Sequence, residues 1–310
     1  MTLETGALPT SPLDPPVATT SDAVTRPYLW SVRRELWEYR SIVTAPLIAG
    51  AVVLFGFLIS TFTLPYRMRA MGALDAAPQG LELIKPFGFS AMVVIVTGLI
   101  VGVFYCLGAL HNERRDRSLL FWKSLPVSDL TTVLAKATIP MVVLPLVLFV
   151  VVLVMEVVML LVSTEVLLLN NLSPAALWVH LPFFQMVLAL FYGLVVASLW
   201  NAPIYAWLLL VSAWAKRAPF LWAVLAPLAL CVLEHIALRT SYLSSMVGSR
   251  LVGGFSHAFV GHAPGLGPAG DLPAIDVLQF LTTPGLWGGL IVAAAFLAGA
   301  VWMRRTRETL

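Results

Sequence analysis

The sequence predicts an all-α, polytopic membrane protein, with six transmembrane helices, an amino-terminal interfacial helix and a short cytoplasmic helix between the second and third spans. Three observations carry this. Of the 310 residues, 59% are hydrophobic and only 11% charged, whereas an ordinary soluble domain is roughly 25% charged; the mean hydropathy is +0.90. Six apolar runs, about Ile42 to Leu64, Phe87 to Leu110, Ala137 to Val162, Phe183 to Ala213, Pro219 to Leu238 and Thr283 to Met303, are long enough to cross a bilayer, whose hydrocarbon core takes about 20 apolar residues. With both chain ends in the cytoplasm, fourteen of the 19 Lys and Arg residues fall on inner segments; the other five, Arg67, Arg69, Lys85, Arg239 and Arg250, fall on outer ones. That bias orients membrane proteins, and the expected location is the inner (plasma) membrane.

Met1 to Thr25 contains no Lys or Arg and four prolines. It lacks the basic start and apolar centre of a signal peptide, so residues 1–26 read as a disordered cytoplasmic tail. Residues 27–305 form the six-span domain, and 306–310 a short cytoplasmic tail. Ahead of the first span, Leu29, Val32, Leu36, Tyr39 and Val43 recur at helical spacing. Arg33, Arg34, Glu35, Glu38 and Arg40 take the other faces, and Trp30 and Trp37 suit headgroup depth. The pattern is that of a helix lying along the membrane before the chain turns into it.

Small residues repeat at intervals near four on the second span, at Gly98, Gly102, Cys106 and Ala109, and on the last, at Gly285, Gly289 and Ala293. Such spacing lets helices approach closely, and packing within one subunit explains it. Asn170 to Pro174, NNLSP, marks a turn after the third span. Residues 166–215 carry no Asp, Glu, Lys or Arg, so the start of the fourth span rests on that turn. The segment Thr240 to Thr282 is the longest outer connection and suggests short helices dipping into the leaflet, where irregular backbone must pack on protein or face water.

The densest charge lies between the second and third spans, HNERRDRSLLFWKSLPVSDLTTVLAK at residues 111–136. Its cations suit an inner loop, but topology does not require the apolar block inside it. A short amphipathic helix offering Leu119, Leu120, Phe121, Trp122 and Leu125 to a protein partner accounts for both. Pro126 stops it, and Ser128 caps the helix that follows.

No GxxxxGK[ST] phosphate loop occurs, and none of the four lysines follows a glycine, so ATP hydrolysis by a phosphate loop is not expected of this chain. Cys106 and Cys231 lie inside apolar runs and support neither a disulfide framework nor a thiolate zinc site. His257 and His262, five apart, match no ligand pattern, so no metal is expected. No Ser, His and Asp grouping supports nucleophilic catalysis. The basic balance, pI near 9.0, follows topology rather than a stripe suited to nucleic acid. Glu156 and Glu234, the latter beside His235, fall within spans. An ionisable group there points to a pathway or a pairing role, although positions near the outer headgroups explain both acids equally well.

From Tyr28 to Arg305 the order of parts resembles the permease subunit of ABC transporters of the second exporter class: an interfacial helix, six spans with both ends inside, the loop ERRDRSLLFWKSLPVSD, and a long outer segment before the last span. The stretch Glu113 to Asp129 carries most of this resemblance. It implies that Arg114, Arg115, Asp116, Arg117, Leu119, Leu120, Phe121, Trp122, Lys123 and Leu125 form a coupling helix docking on a separate cytoplasmic ATPase. WAKRAP, with Lys216 and Arg217, would be a second inner contact. The resemblance also implies a second permease copy or homologue, surrounding membrane lipids, and ATP with magnesium bound by the ATPase rather than by this chain. The function expected is an ATP-driven exporter's membrane subunit. A gradient-driven carrier using Glu156 or Glu234 as a proton site is the alternative; a membrane-embedded enzyme or assembly scaffold comes third.

Overall fold

A computed structural model describes residues 27–71, 76–115, 128–260 and 274–307. Helix α1 (Pro27–Glu38) is followed by α2 (Ser41–Ser60), a 3-10 turn at Thr61–Thr63 and α3 (Leu64–Met71). Next come α4 (Ala76–Ala109), α5 (His111–Arg115), α6 (Asp129–Thr138), a π-turn at Ile139–Val143 and α7 (Leu144–Leu169). Pro140 has no N–H to give the helix, and the wide turn around it absorbs the loss without ending the helix. Then follow α8 (Ala175–His180), α9 (Phe183–Trp200), α10 (Ala202–Trp214), α11 (Pro219–Leu238), α12 (Tyr242–Val252) and α13 (Gly254–Ala258). A two-residue antiparallel ladder joins β1 (Phe259–Val260) to β2 (Ala274–Ile275), and α14 (Val277–Thr282) leads to α15 (Pro284–Arg307).

Among the described residues, six helices are long and apolar enough to cross a membrane: Ser41–Tyr66, Ile84–Arg115, Asp129–Leu169, Phe183–Trp200, Pro219–Leu238 and Pro284–Thr306. The chain is an all-α, multi-pass membrane protein. Its third span is longer than the apolar run implied, 41 residues, or about 60 Å at 1.5 Å per residue. The expected fourth span, Phe183 to Ala213, is divided at Asn201 into α9 and α10. Pro203 explains the break, because its ring clashes with the carbonyl four residues before it and it donates no hydrogen bond. At the NNLSP turn, α7 stops at Leu169 and Asn171 takes a left-handed φ of 54°, a conformation asparagine tolerates. The last helix runs to Arg307, past the expected boundary at 305.

The main core joins α2, α4, α7 and α10 through Ile42, Val94, Cys106, Leu148, Val152 and Leu209. A Cβ on Gly98 would stand 2.5 Å from the Leu148 side chain, and one on Gly102 3.0 Å from that of Leu144. The small-residue repeat of the second span therefore serves α4–α7 packing within one subunit. On the last span, Ala293 packs with Ala202 and Ala206, drawing α15 against α10. Gly285 accommodates the Trp200 ring, and Gly289 the Arg250 guanidinium. That guanidinium lies 4.4 Å from the Trp200 ring centre, while Trp200 Nε1 donates to the Ser249 carbonyl at 3.1 Å. Helix α12 is thereby pinned where α9 ends.

Candidate functional site

The first and last described helices meet at one end of the bundle, in a cluster of charge. Lys136 is 0% exposed, Glu35 2%, Glu113 4% and Arg304 8%. Lys136 Nζ donates to Glu35 Oε1 at 2.8 Å and stands 3.0 Å from Glu113 Oε1. Tyr105 donates its hydroxyl to Glu35 Oε2 at 2.9 Å. Arg34 reaches Glu113 Oε1 at 2.8 Å, and Arg304 bridges Glu113 Oε2 and Asp129 Oδ1, each at 3.0 Å. Three acids thus face three bases drawn from α1, α5, α6 and α15. Burying charges carries a desolvation penalty of several kcal/mol per ion, offset only where the partners are close and their hydrogen bonds complete; here each acid meets at least one cation.

Local structure fixes these positions. Ser128 Oγ accepts the Thr131 N–H at 3.1 Å, capping α6 as its sequence implies and placing Asp129 in the first turn, where the helix dipole favours an acid. Beside the cluster, Tyr39 meets Tyr105 edge to face at 4.9 Å between ring centres. Burial pushes the Tyr39 phenol up to about 12, so it keeps its proton at neutral pH.

A second set of bonds joins the end of α4 to the end of α10. Ser212 Oγ accepts the backbone N–H groups of Leu110 and His111, at 3.1 and 3.0 Å, and donates to the Leu107 carbonyl at 2.8 Å. Arg114 donates to the Ser212 carbonyl and, at 3.0 Å, to that of Ala215. These carbonyls lie at the negative end of the α10 dipole. Lys216 and Arg217 follow directly and are exposed, and Ala218 turns the chain with a left-handed φ of 49°.

Of the expected docking residues, Arg114 is therefore bonded to its own chain and Arg115 is exposed. Asp116, Arg117, Leu119, Leu120, Phe121, Trp122, Lys123 and Leu125 lie outside the described residues. The structure does bring together the described ends of the two segments expected to dock, since Arg114 in one holds the Ala215 carbonyl in the other. Glu156 sits on the buried face of α7 at 3% exposure, and its Oε2 has no hydrogen-bond partner among the described residues. Glu234 has a different setting. Its carboxylate accepts the Thr240 hydroxyl at 2.9 Å and the N–H groups of Tyr242 and Leu243 at 2.7 and 2.8 Å, holding the start of α12. His235 is exposed, and the His257 ring rests 5.4 Å from that of Trp200. No group of three or more His, Cys, Asp or Glu that would hold a metal occurs among the described residues.

Sequence reasoning assigned Glu35 to the polar faces of α1, and the structure corrects this: Glu35 is buried, while Leu29 of the apolar stripe is 52% exposed. The signal was present, because Glu35 lies three residues after Val32 and four before Tyr39, sharing their face. Lys136 and Arg304, counted only as orienting charges, are buried as well. Comparison of the chain with protein-family models, with curated proteins and with solved structures gives no match.

Proposed function

We propose that the chain is the membrane-spanning permease subunit of an ATP-driven exporter, with a separate cytoplasmic ATPase supplying the energy. One observation supports this most: the described residues on either side of 116–127, where docking is expected, are fastened to a common partner. Glu113 before it and Asp129 after it are held by the same Arg304 guanidinium, at 3.0 Å each. The exposed Lys216 and Arg217 directly follow Ala215, whose carbonyl Arg114 holds. A push on that segment therefore reaches α1, α4, α6 and α15 at once. In this reading the clustered end faces the cytoplasm, Phe121 and Trp122 anchor the ATPase, and two permease copies wall the pathway. Gentle detergent purification with mass spectrometry of co-eluting chains tests it. A stoichiometric ATPase is expected, and purification without one from cells carrying out the transport would overturn the reading.

A gradient-driven carrier is the second reading, favoured by Glu156 alone. An acid buried in a span with no partner for its Oε2 among the described residues, where charge costs about 2.5 to 3.5 kcal/mol on the insertion scale, is a feature of proton relays.

A further inference from the structure

Helix α1 has two unlike faces. Val32, Leu36 and Tyr39 pack on the main core and Glu35 enters the charge cluster. The opposite face is open: Trp30 is 60% exposed and Trp37 65%, with Arg33 exposed between them and Arg40, also exposed, just past the end of α1. The Arg33 guanidinium lies 5.5 Å from the Trp30 ring centre and 4.9 Å from that of Trp37, so both indoles flank it. Glu38, the exposed acid of this helix, stands 3.7 Å from Arg34. Among the described residues, neither Arg33 nor Arg40 has a carboxylate partner.

The first membrane span begins at Ser41, directly after Arg40. Indole rings at such a place sit at headgroup level, and a helix with this face lies in the interface. The available anion there is phosphate, which a guanidinium binds through two parallel hydrogen bonds. The arrangement also discriminates between headgroups. Aromatic faces receive a choline cation, but here Arg33 already occupies them, and a choline or ethanolamine group would bring a further cation beside Arg33 and Arg40. A headgroup whose only charge is its phosphate fits both.

We propose that Trp30, Arg33, Trp37 and Arg40 form a binding site for the phosphate of an anionic glycerophospholipid, selected over choline lipids. The site depends on α1 lying at the membrane surface and not on an ATPase, so it is tested on the purified full-length chain alone. Native mass spectrometry would count retained phosphatidylglycerol and phosphatidylcholine of the same acyl chains. The wild type should retain the anionic lipid preferentially. Arg33→Gln should lower its retention about fivefold, the effect of one basic group at an anionic surface, and leave phosphatidylcholine unchanged. Equal retention of the two lipids by the wild type, an unchanged preference in Arg33→Gln, or displacement of the lipid by inorganic phosphate would each overturn the proposal. Quenching by brominated phosphatidylglycerol supplies a second measurement. The fluorescence difference between the wild type and Trp30→Phe/Trp37→Phe should be quenched; an unquenched difference would mean that protein, not lipid, covers this face.

Discussion

Two buried regions hold carboxylates at almost the same exposure and treat them in opposite ways. Glu35 at 2% and Glu113 at 4% are enclosed by Lys136, Arg34, Arg304 and Tyr105, whereas Glu156 at 3% has an oxygen with no partner among the described residues. Depth alone therefore does not decide what a buried acid does. In the cluster the acids are structural, tying α1, α5, α6 and α15 into one block. On α7 the same depth leaves an acid whose Oε2 has no hydrogen-bond partner among the described residues.

The strongest way to break this contrast is Lys136→Met. It leaves Glu35 and Glu113 buried without their shared cation and should destabilise the protein by about 3 to 5 kcal/mol, the usual result of breaking a buried pair. Thermal unfolding in detergent would show it, and Lys136→Met/Glu35→Gln should recover part of the loss. A single variant as stable as the wild type would mean that the cluster holds nothing together. Replacing Phe121 and Trp122 by alanine separates anchoring from docking. Aromatic anchors of interfaces contribute about 2 to 4 kcal/mol each when truncated. ATPase binding should therefore fall by more than tenfold while insertion and thermal stability stay unchanged; retention of the ATPase at full strength would remove the docking role.

Glu156→Gln sharpens the other side. Since no hydrogen bond of Glu156 among the described residues is lost, stability should stay within about 1 kcal/mol of wild type, and transport should persist, depend on ATP and survive collapse of the proton gradient at constant ATP. Transport that runs in vesicles on a pH gradient without ATP, and fails in this variant, would make the carrier the better reading. The smallest effect is expected of Ser128→Ala, which removes the α6 cap and should cost about 1 kcal/mol. Its value is positional: if Asp129 depends on that cap, Ser128→Ala and Arg304→Gln should combine less than additively in thermal unfolding.

The spans, the Asn170 turn and the Ser128 cap were legible because each is written in neighbouring residues: an apolar run, an NNLSP sequence, a serine at the head of a helix. The charge cluster was not, since it joins positions 35, 105, 113, 136 and 304, which only packing brings together. Lys136 looked like a positive-inside residue because the acids that neutralise it, Glu113 and Glu35, lie 23 and 101 residues away in sequence. The break at Asn201 was legible in hindsight through Pro203, but uninterrupted hydropathy across residues 183–213 hid it. Of the candidate site, the sequence singled out Arg114 and the residues after it as a docking loop, most of which lie outside the described residues, and it missed the block to which Glu113 and Asp129 are fastened.

That break gives the third and fourth spans different mechanics. The third, continuous from Asp129 to Leu169, is a strut: displace the end carrying Lys136 and the whole rod must tilt, so its far tip swings the opposite way about any fixed point between. The fourth is a jointed arm whose near half is fastened at Ser212 to the end of α4, and whose far half ends where Arg250 clasps Trp200. A torque applied at the near half can be taken up as bending at Asn201, leaving the clasp at rest.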